Sequence, residues 1–310
     1  MVISHDADFL NMFTDGVLYL NVQSRKVEQY RGDYYDVVDQ IANQLEKARS
    51  QNARMEKQII DAKEKINFFA QKGGKMRKLA SKMRDEVEEA EENKIEVRKD
   101  DKTITPFTIE FENYVGPIVT VHSVELMNKE HERVSKKLEL VIKKKMRYKL
   151  TGPNGIGKST LLKRLINAHS GDATIHDDVR VGYYSQDFNA LDMQMSVRDA
   201  LHEMSNEVTD QQVFKTAAQF LLTGDLLKQP IESLSEGQKG LLCYARFVIQ
   251  KPHLLILDEP TNHINFRHLP IIADAINEYE GAIIMVSHDD AFVDKLEDIE
   301  EIDLGKLLNN

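Results

Sequence analysis

The stretch Thr151-Gly152-Pro153-Asn154-Gly155-Ile156-Gly157-Lys158-Ser159-Thr160 constrains this chain more than any other feature. It satisfies the pattern GxxxxGK[ST], which has physical content only where a strand runs into a helix. Both flanks are present. Met146, Tyr148 and Leu150 alternate before it as in a strand, and Leu161, Leu162 and Leu165 follow it at helical spacing. Gly152, Gly155 and Gly157 lack a β-carbon, so the backbone can curl and aim its N–H groups inward, where they and the helix N-terminus attract phosphate oxygens. In such a loop Lys158 reaches the β- and γ-phosphates and the Ser159 hydroxyl ligates Mg²⁺.

At 310 residues and 41% hydrophobic content, the chain can bury one large core with a smaller part beside it. Cys243 is the only cysteine, which excludes an intrachain disulfide. No apolar run approaches the length of a membrane span, and the first residues lack a signal-peptide layout. A cytoplasmic protein with no membrane partner is expected. The net charge of -10 argues against a uniformly basic nucleic-acid surface and leaves local patches to be read one by one.

Residues 1–35 read as the end of a domain. Val2 to Leu10 parallels Met285 to Val293, with His5 matching His288 and a Phe four residues after each His, so the chain carries an internal repeat. Two strand-like runs, Val17 to Leu20 and Val27 to Tyr30, form a hairpin. Over residues 36–104, Val38, Ile41, Leu45, Ala48, Asn52, Met55, Ile59, Ala62, Ile66 and Phe69 form a heptad seam; Met76, Leu79, Met83, Val87 and Ala90 continue it after Gly73-Gly74. The spacing predicts two helices packed as an antiparallel, coiled-coil-like hairpin. Around its tip, from Lys63 to Arg84, eight basic residues face only Glu64. Such clustering favours contact with a phosphate backbone over an ordinary solvated helix face.

From 105 to 310 the patterns become those of an α/β domain. Phe107 to Glu112 and Pro117 to Leu126 alternate like strands, Val181 to Gln186 reads as a strand ending in Gln186, and Val197 to Leu227 reads as mainly helical. Leu234 to Lys239 introduces a helix beginning near Gly240. Leu254 to Leu257 is a continuous apolar run ending in Asp258 and Glu259, and Ile283 to Val286 is another ending at Ser287-His288. Such runs suit strands buried on both faces of a parallel sheet.

Taken in order, Gly152 to Ser159, Gln186, Leu234 to Gln238, Leu254 to Glu259, Glu259-Pro260-Thr261-Asn262-His263 and Ser287-His288-Asp289 resemble the ATP-binding domain of the ATP-binding-cassette superfamily. The Glu-Pro-Thr-Asn-His run, the helical linker and the trace of an earlier cassette further resemble the ABC-F group of soluble twin-cassette proteins. The resemblance implies a P-loop NTPase fold of α/β class, with a mixed sheet core, an antiparallel β subdomain and a helical signature subdomain, preceded by the hairpin linker. It implies ATP and Mg²⁺ as ligands, held by Gly152, Pro153, Asn154, Gly155, Ile156, Gly157, Lys158, Ser159 and Thr160. Ser159, Gln186 and Asp258 would serve the metal; Glu259 is implied as general base or water-polarising group, with His288 and Gln186 beside it. Ser235, Gly237 and Gln238 would close over ATP held by a facing cassette. The ribosome, through rRNA or tRNA at the linker tip, is the implied partner.

Three positions depart from the family pattern. Glu236 stands where Gly is usual, Asn265 where Asp is usual, and His131 lies where an adenine-stacking aromatic is expected. A transporter ATP-binding subunit shares these motifs but normally has no hairpin between cassettes. A coiled-coil interaction protein with a degenerate cassette would have no need of Lys158, Asp258, Glu259 and His288, although Glu236 and Asn265 keep that reading open. Because only one set of nucleotide motifs is present, the 310 residues are expected to be a fragment or incomplete product. Activity would then require a second cassette, from another chain or a second copy.

Overall fold

The computed structural model describes residues 103–309 apart from 113, 129, 131 and 167–172. Of the first 102 it describes 11–12, 15–21, 26–33 and the single positions 36, 37, 40, 47, 59, 62, 63, 66 and 87. The chain divides into two compact units, Met1–Lys102 and Thr103–Asn310.

In the first unit, β1 (Gly16–Asn21) and β2 (Lys26–Arg31) pair antiparallel with Val17 opposite Tyr30, the expected hairpin. Tyr30 and Val37 are buried together against Val17. Ile59, Ile66 and Val87, three of the predicted seam positions, are helical and buried; Lys63 is helical and exposed. Apart from Lys63, the basic tip lies outside the described residues, as do Asn52 and the repeat segment Val2 to Leu10.

The second unit is built on a five-stranded sheet in the order β10-β5-β9-β8-β7, parallel throughout. Its strands are β5 (Arg147–Thr151), β7 (Val181–Tyr184), β8 (Leu254–Asp258), β9 (Ala282–Val286) and β10 (Ile299–Asp303). A separate three-stranded antiparallel sheet is formed by β3 (Val119–Met127), β4 (Arg133–Ile142) and β6 (Ala173–Ile175). Every residue of β8 and β9 is buried, because the parallel strands carry helices on both faces. Successive side chains divide between two cores: Leu254, Ile256, Ala282 and Ile284 join one, Leu255, Leu257, Ile283 and Met285 the other.

The first of these cores lies under α1 (Lys158–Ile166) and the antiparallel sheet. The second extends into a helical region of α2 (Val197–His202), α3 (Asp210–Gln219) and α4 (Glu236–Gln250), and also packs α5 (Leu269–Glu278). Cys243, on α4, is fully buried there, and burial pushes its thiol up to about 12.

Two expectations are corrected. Phe107 to Glu112 is not a strand; just before it the Thr105 N–H donates to the Gln219 carbonyl, and its Phe107 ring sits 4.7 Å from that of Phe220. Its alternating apolar side chains follow the edge of the helical core instead of a strand partner. The helix expected near Gly240 begins at Glu236, with Ser235 as its N-cap. Gly240 is well inside it, where a β-carbon would come within 2.7 Å of the Tyr184 hydroxyl.

Candidate nucleotide site

Parallel strands deliver their C-terminal ends to one edge of a sheet, where α/β folds place ligands. Here β5 ends in the glycine-rich loop, β7 leads to Gln186, β8 ends at Asp258 and β9 leads to His288. Gly155, Lys158, Ser159, Gln186, Glu259 and His288 line one cavity of about 440 Å³ at that edge. A larger cavity of about 840 Å³ contains none of the predicted site residues. It includes Arg180 and Lys251, which precede β7 and β8 and pair with Glu112 and Glu110 at 2.8 and 2.6 Å.

The loop conformation demands its glycines. Gly155 and Gly157 have φ of 81° and 107°, where a side chain would be strained, and a β-carbon on Gly155 would meet nothing within 4 Å. The first turn of α1, with no acidic residue, opens into the cavity through Gly157, Lys158, Ser159 and Thr160. Lys158 Nζ donates to the carbonyls of Gly152 at 2.7 Å and Pro153 at 3.4 Å, which holds the ammonium over the loop.

Ser159 Oγ donates to Asp258 Oδ1 at 3.0 Å. Asp258 is 1% exposed, and burial raises its pKa; Glu259 and Asp187 push the same way, while the Ser159 bond and Lys163 oppose them. A hydroxyl beside a buried carboxylate is an oxygen donor set suited to a small hard cation such as Mg²⁺.

Glu259 is buried in the left-handed region, with φ of 54°. Such a backbone costs of order 1–2 kcal/mol and persists because its neighbours fix it. The Glu259 N–H donates to the Val286 carbonyl at 2.9 Å, and its own carbonyl accepts from Asn262 N–H at 3.2 Å. Its carboxylate accepts from the His288 backbone N–H at 3.1 Å, and His288 Nε2 lies 3.5 Å from the other oxygen. Two tyrosines support the following loop: Tyr244 donates to the Pro260 carbonyl at 3.2 Å and Tyr184 to that of Asn262 at 3.4 Å.

Ser235, Gly237 and Gln238 do not join this cavity. They form a reciprocal capping box: Ser235 Oγ accepts from Gln238 N–H, and Gln238 Oε1 accepts from Ser235 N–H at 2.9 Å. A β-carbon on Gly237 would lie 2.9 Å from the His263 carbonyl, so this glycine permits close contact with the loop after Glu259. Glu236 points to that loop too, its Oε2 lying 2.9 Å from His263 Nδ1. Asn265 caps a short 3₁₀ turn, accepting from Arg267 N–H at 3.1 Å. His131 lies outside the described residues.

Sequence reasoning missed three groups. Arg147 and Lys149, charged residues alternating with apolar ones, belong to no motif; β5 lies between β10 and β9, and both are buried. The Arg147 guanidinium donates to the carbonyls of Asn277, Tyr279 and Glu297. Lys149 Nζ reaches Asp290 at 3.3 Å, fixing the turn that follows His288. The third is Tyr183, whose buried hydroxyl has no hydrogen-bond partner among the described residues; burial first, then the charges of Asp258 and Asp187, push it up to about 12.

A sequence profile of the family described as ABC transporter matches residues 135–262. The chain is 30% identical over 303 residues to the probable ATP-binding protein YbiT of Escherichia coli O157:H7, covering 96% of this chain and 56% of that protein. It is 31% identical over 299 residues to mouse ATP-binding cassette sub-family F member 2, covering 93% of this chain and 47% of the relative. The chain thus spans about half the length of the curated relatives it matches. Among solved structures, a dimeric ATP-binding cassette in a post-hydrolysis state bound to ADP and Pi aligns with a TM-score of 0.47 at 19% identity, covering 60% of this chain and 95% of that one. No helix among the described residues is long and apolar enough to cross a membrane.

Proposed function

The chain belongs to the ATP-binding-cassette family, with relatives of ABC-F type, and from that premise we propose that residues 105–310 bind ATP and hydrolyse it to ADP and phosphate. The observation carrying this reading is the convergence of Lys158, Ser159, Gln186, Glu259 and His288, from separate loops, on one cavity. Gly152 to Thr160 hold the phosphates. Ser159, Asp258 and Gln186 would hold Mg²⁺, which would supply positive charge to neutralise the transferring phosphoryl group. Glu259 orients the attacking water and takes its proton, and His288 steadies Glu259 through its backbone N–H and ring.

Ser235, Gly237 and Gln238 do not line this cavity, which supports a site completed by the corresponding cap of a facing cassette. ATP then joins two cassettes and hydrolysis releases them. The test is turnover per chain against protein concentration, with oligomeric state followed in parallel. A rate rising with the dimer fraction is the expected result; a high, concentration-independent rate in a verified monomer would remove the requirement for a partner.

Residues 1–35 are proposed as the closing strands of a preceding cassette and 36–104 as a helical hairpin linker. The helical, buried positions Ile59, Ile66 and Val87 support the linker. Its excess of basic residues between Lys63 and Arg84 supports ribosome association through rRNA or tRNA, in the cytoplasm. Reversing Lys72, Lys75, Arg77 and Lys78 to Glu should weaken ribosome pelleting and flatten its salt dependence while ATP binding survives. Unchanged pelleting at every salt concentration would make the tip a solvated surface.

A further inference from the structure

Glu236 puts a carboxylate in the first turn of α4, beside the Ser235 cap. A negative side chain there is attracted by the exposed N–H groups and the helix dipole. Left free, it would compete with any phosphate approaching the same turn and would repel it directly. The structure shows where the carboxylate goes instead. Glu236 Oε2 lies 2.9 Å from His263 Nδ1.

His263 is itself fixed against the cap. Its carbonyl fits over Gly237 closely enough that a β-carbon there would lie 2.9 Å away, and the residue holds a left-handed backbone with φ of 65°. The next residue, Ile264, is buried, with its side chain packed over Gly240. The preceding one is fixed by the bond from Tyr184 to the Asn262 carbonyl. The loop beginning at the left-handed Glu259 therefore ends with a ring that draws the one acidic side chain of the α4 first turn to the side.

We propose that His263 is a positioning residue for phosphate docking in trans: by holding Glu236 aside, it leaves the α4 N-terminus open to the γ-phosphate of a nucleotide in a facing cassette. The inference rests on the composite-site reading above and adds to it a specific coupling. The loop that starts at a cassette's own hydrolytic glutamate governs how well the same cassette's cap receives its partner's nucleotide. Glu236, at the position where Gly is usual, is thereby made compatible with docking.

The test uses the full 310-residue chain with His263→Gly, Glu236→Gln and the double variant. Glycine accepts φ of 65° without strain and retains the backbone contact with Gly237. Pairing driven by a non-hydrolysable ATP analogue, measured by sedimentation, should weaken about tenfold in His263→Gly, because a released like charge then faces the incoming phosphate. The apparent affinity of the chain's own site for ATP should stay within about twofold, since neither residue lines that cavity. Adding Glu236→Gln should restore pairing to near the wild-type value, which a merely structural role for His263 would not allow. Normal pairing in His263→Gly, or a defect that Glu236→Gln fails to relieve, would overturn the inference while leaving the composite site intact. Absence of nucleotide-driven pairing in the wild-type chain would instead overturn the composite-site reading and this inference with it.

Discussion

The cassette presents two helix N-termini, and they are built in opposite ways. At α1 the first turn has no acidic residue, is entered through glycines in positive-φ conformations, and opens into a cavity shared by three other strand ends. At α4 the first turn is capped by its own sequence, with Ser235 and Gln238 satisfying each other and Glu236 held by His263. One terminus is organised by tertiary structure and keeps its donors for a ligand. The other is organised locally and is stable without one. A terminus that must hold a nucleotide gains from being prepared by its surroundings, whereas one that meets its ligand only on association must remain well satisfied while alone.

The largest effect should appear at the open terminus. Glu259→Gln should reduce ATP turnover by at least about 100-fold while preserving nucleotide binding, because the amide keeps the shape of the carboxylate and loses its basicity. Lys158→Ala should instead abolish binding, measured with a fluorescent ATP analogue. Parental turnover in Glu259→Gln would show that the open terminus owes nothing to that carboxylate.

A second substitution contrasts function with stability. Asp258 is buried and its pKa is raised, so its ionised form costs folding free energy at neutral pH. Asp258→Asn should therefore remove activity yet raise the melting temperature. The sign with pH follows. The folded state binds the Asp258 proton more tightly than the unfolded state, so the penalty is full above the folded pKa and disappears as pH falls towards 3.8. The advantage of Asp258→Asn should shrink on acidification in parallel melts of the two proteins. Burial lowers the pKa of both His253 and His268, which costs stability below about 6.5 and cancels between the two proteins. A destabilised Asp258→Asn would contradict this account of the open terminus.

At the self-capped terminus the direction reverses. Ser235→Ala breaks the capping box and should cost about 1 kcal/mol of stability with the chain alone in solution, measured by urea denaturation. A loss below about 0.3 kcal/mol would mean the cap is not held by its own side chains. Smallest of all, Tyr183→Phe removes a buried hydroxyl without a partner among the described residues and should leave stability within about 0.5 kcal/mol or improve it. A clear loss would reveal that the hydroxyl serves the metal side of the open terminus.

The two termini also differed in legibility. Gly152 to Thr160 could be placed from sequence because a fixed motif and two hydrophobic periods agreed, and the apolar runs before Asp258 and His288 marked strands buried on both faces. The start of α4 was set too late, although Ser235-Glu236-Gly237-Gln238 carries the S-x-x-Q signature of a capping box. Its two glycines, Gly237 and Gly240, are packing positions against His263 and Tyr184. Arg147 and Lys149 did not stand out because alternation reports a half-buried strand only when one face meets water, and β5 is a central strand. The Glu236–His263 contact was beyond any local rule, since it joins separate loops brought together by packing.

Cys243 gives this architecture a built-in clock. The chain's only thiol sits on the buried face of α4, and burial also suppresses its ionised, reactive form. An alkylating reagent can reach it only when the helix detaches from its core, so the labelling rate reports how often that region opens. No engineered probe is needed, and a slowing of the reaction when nucleotide is added would measure, in the native chain, how far occupancy of the distant loop restrains the helix that carries the cap.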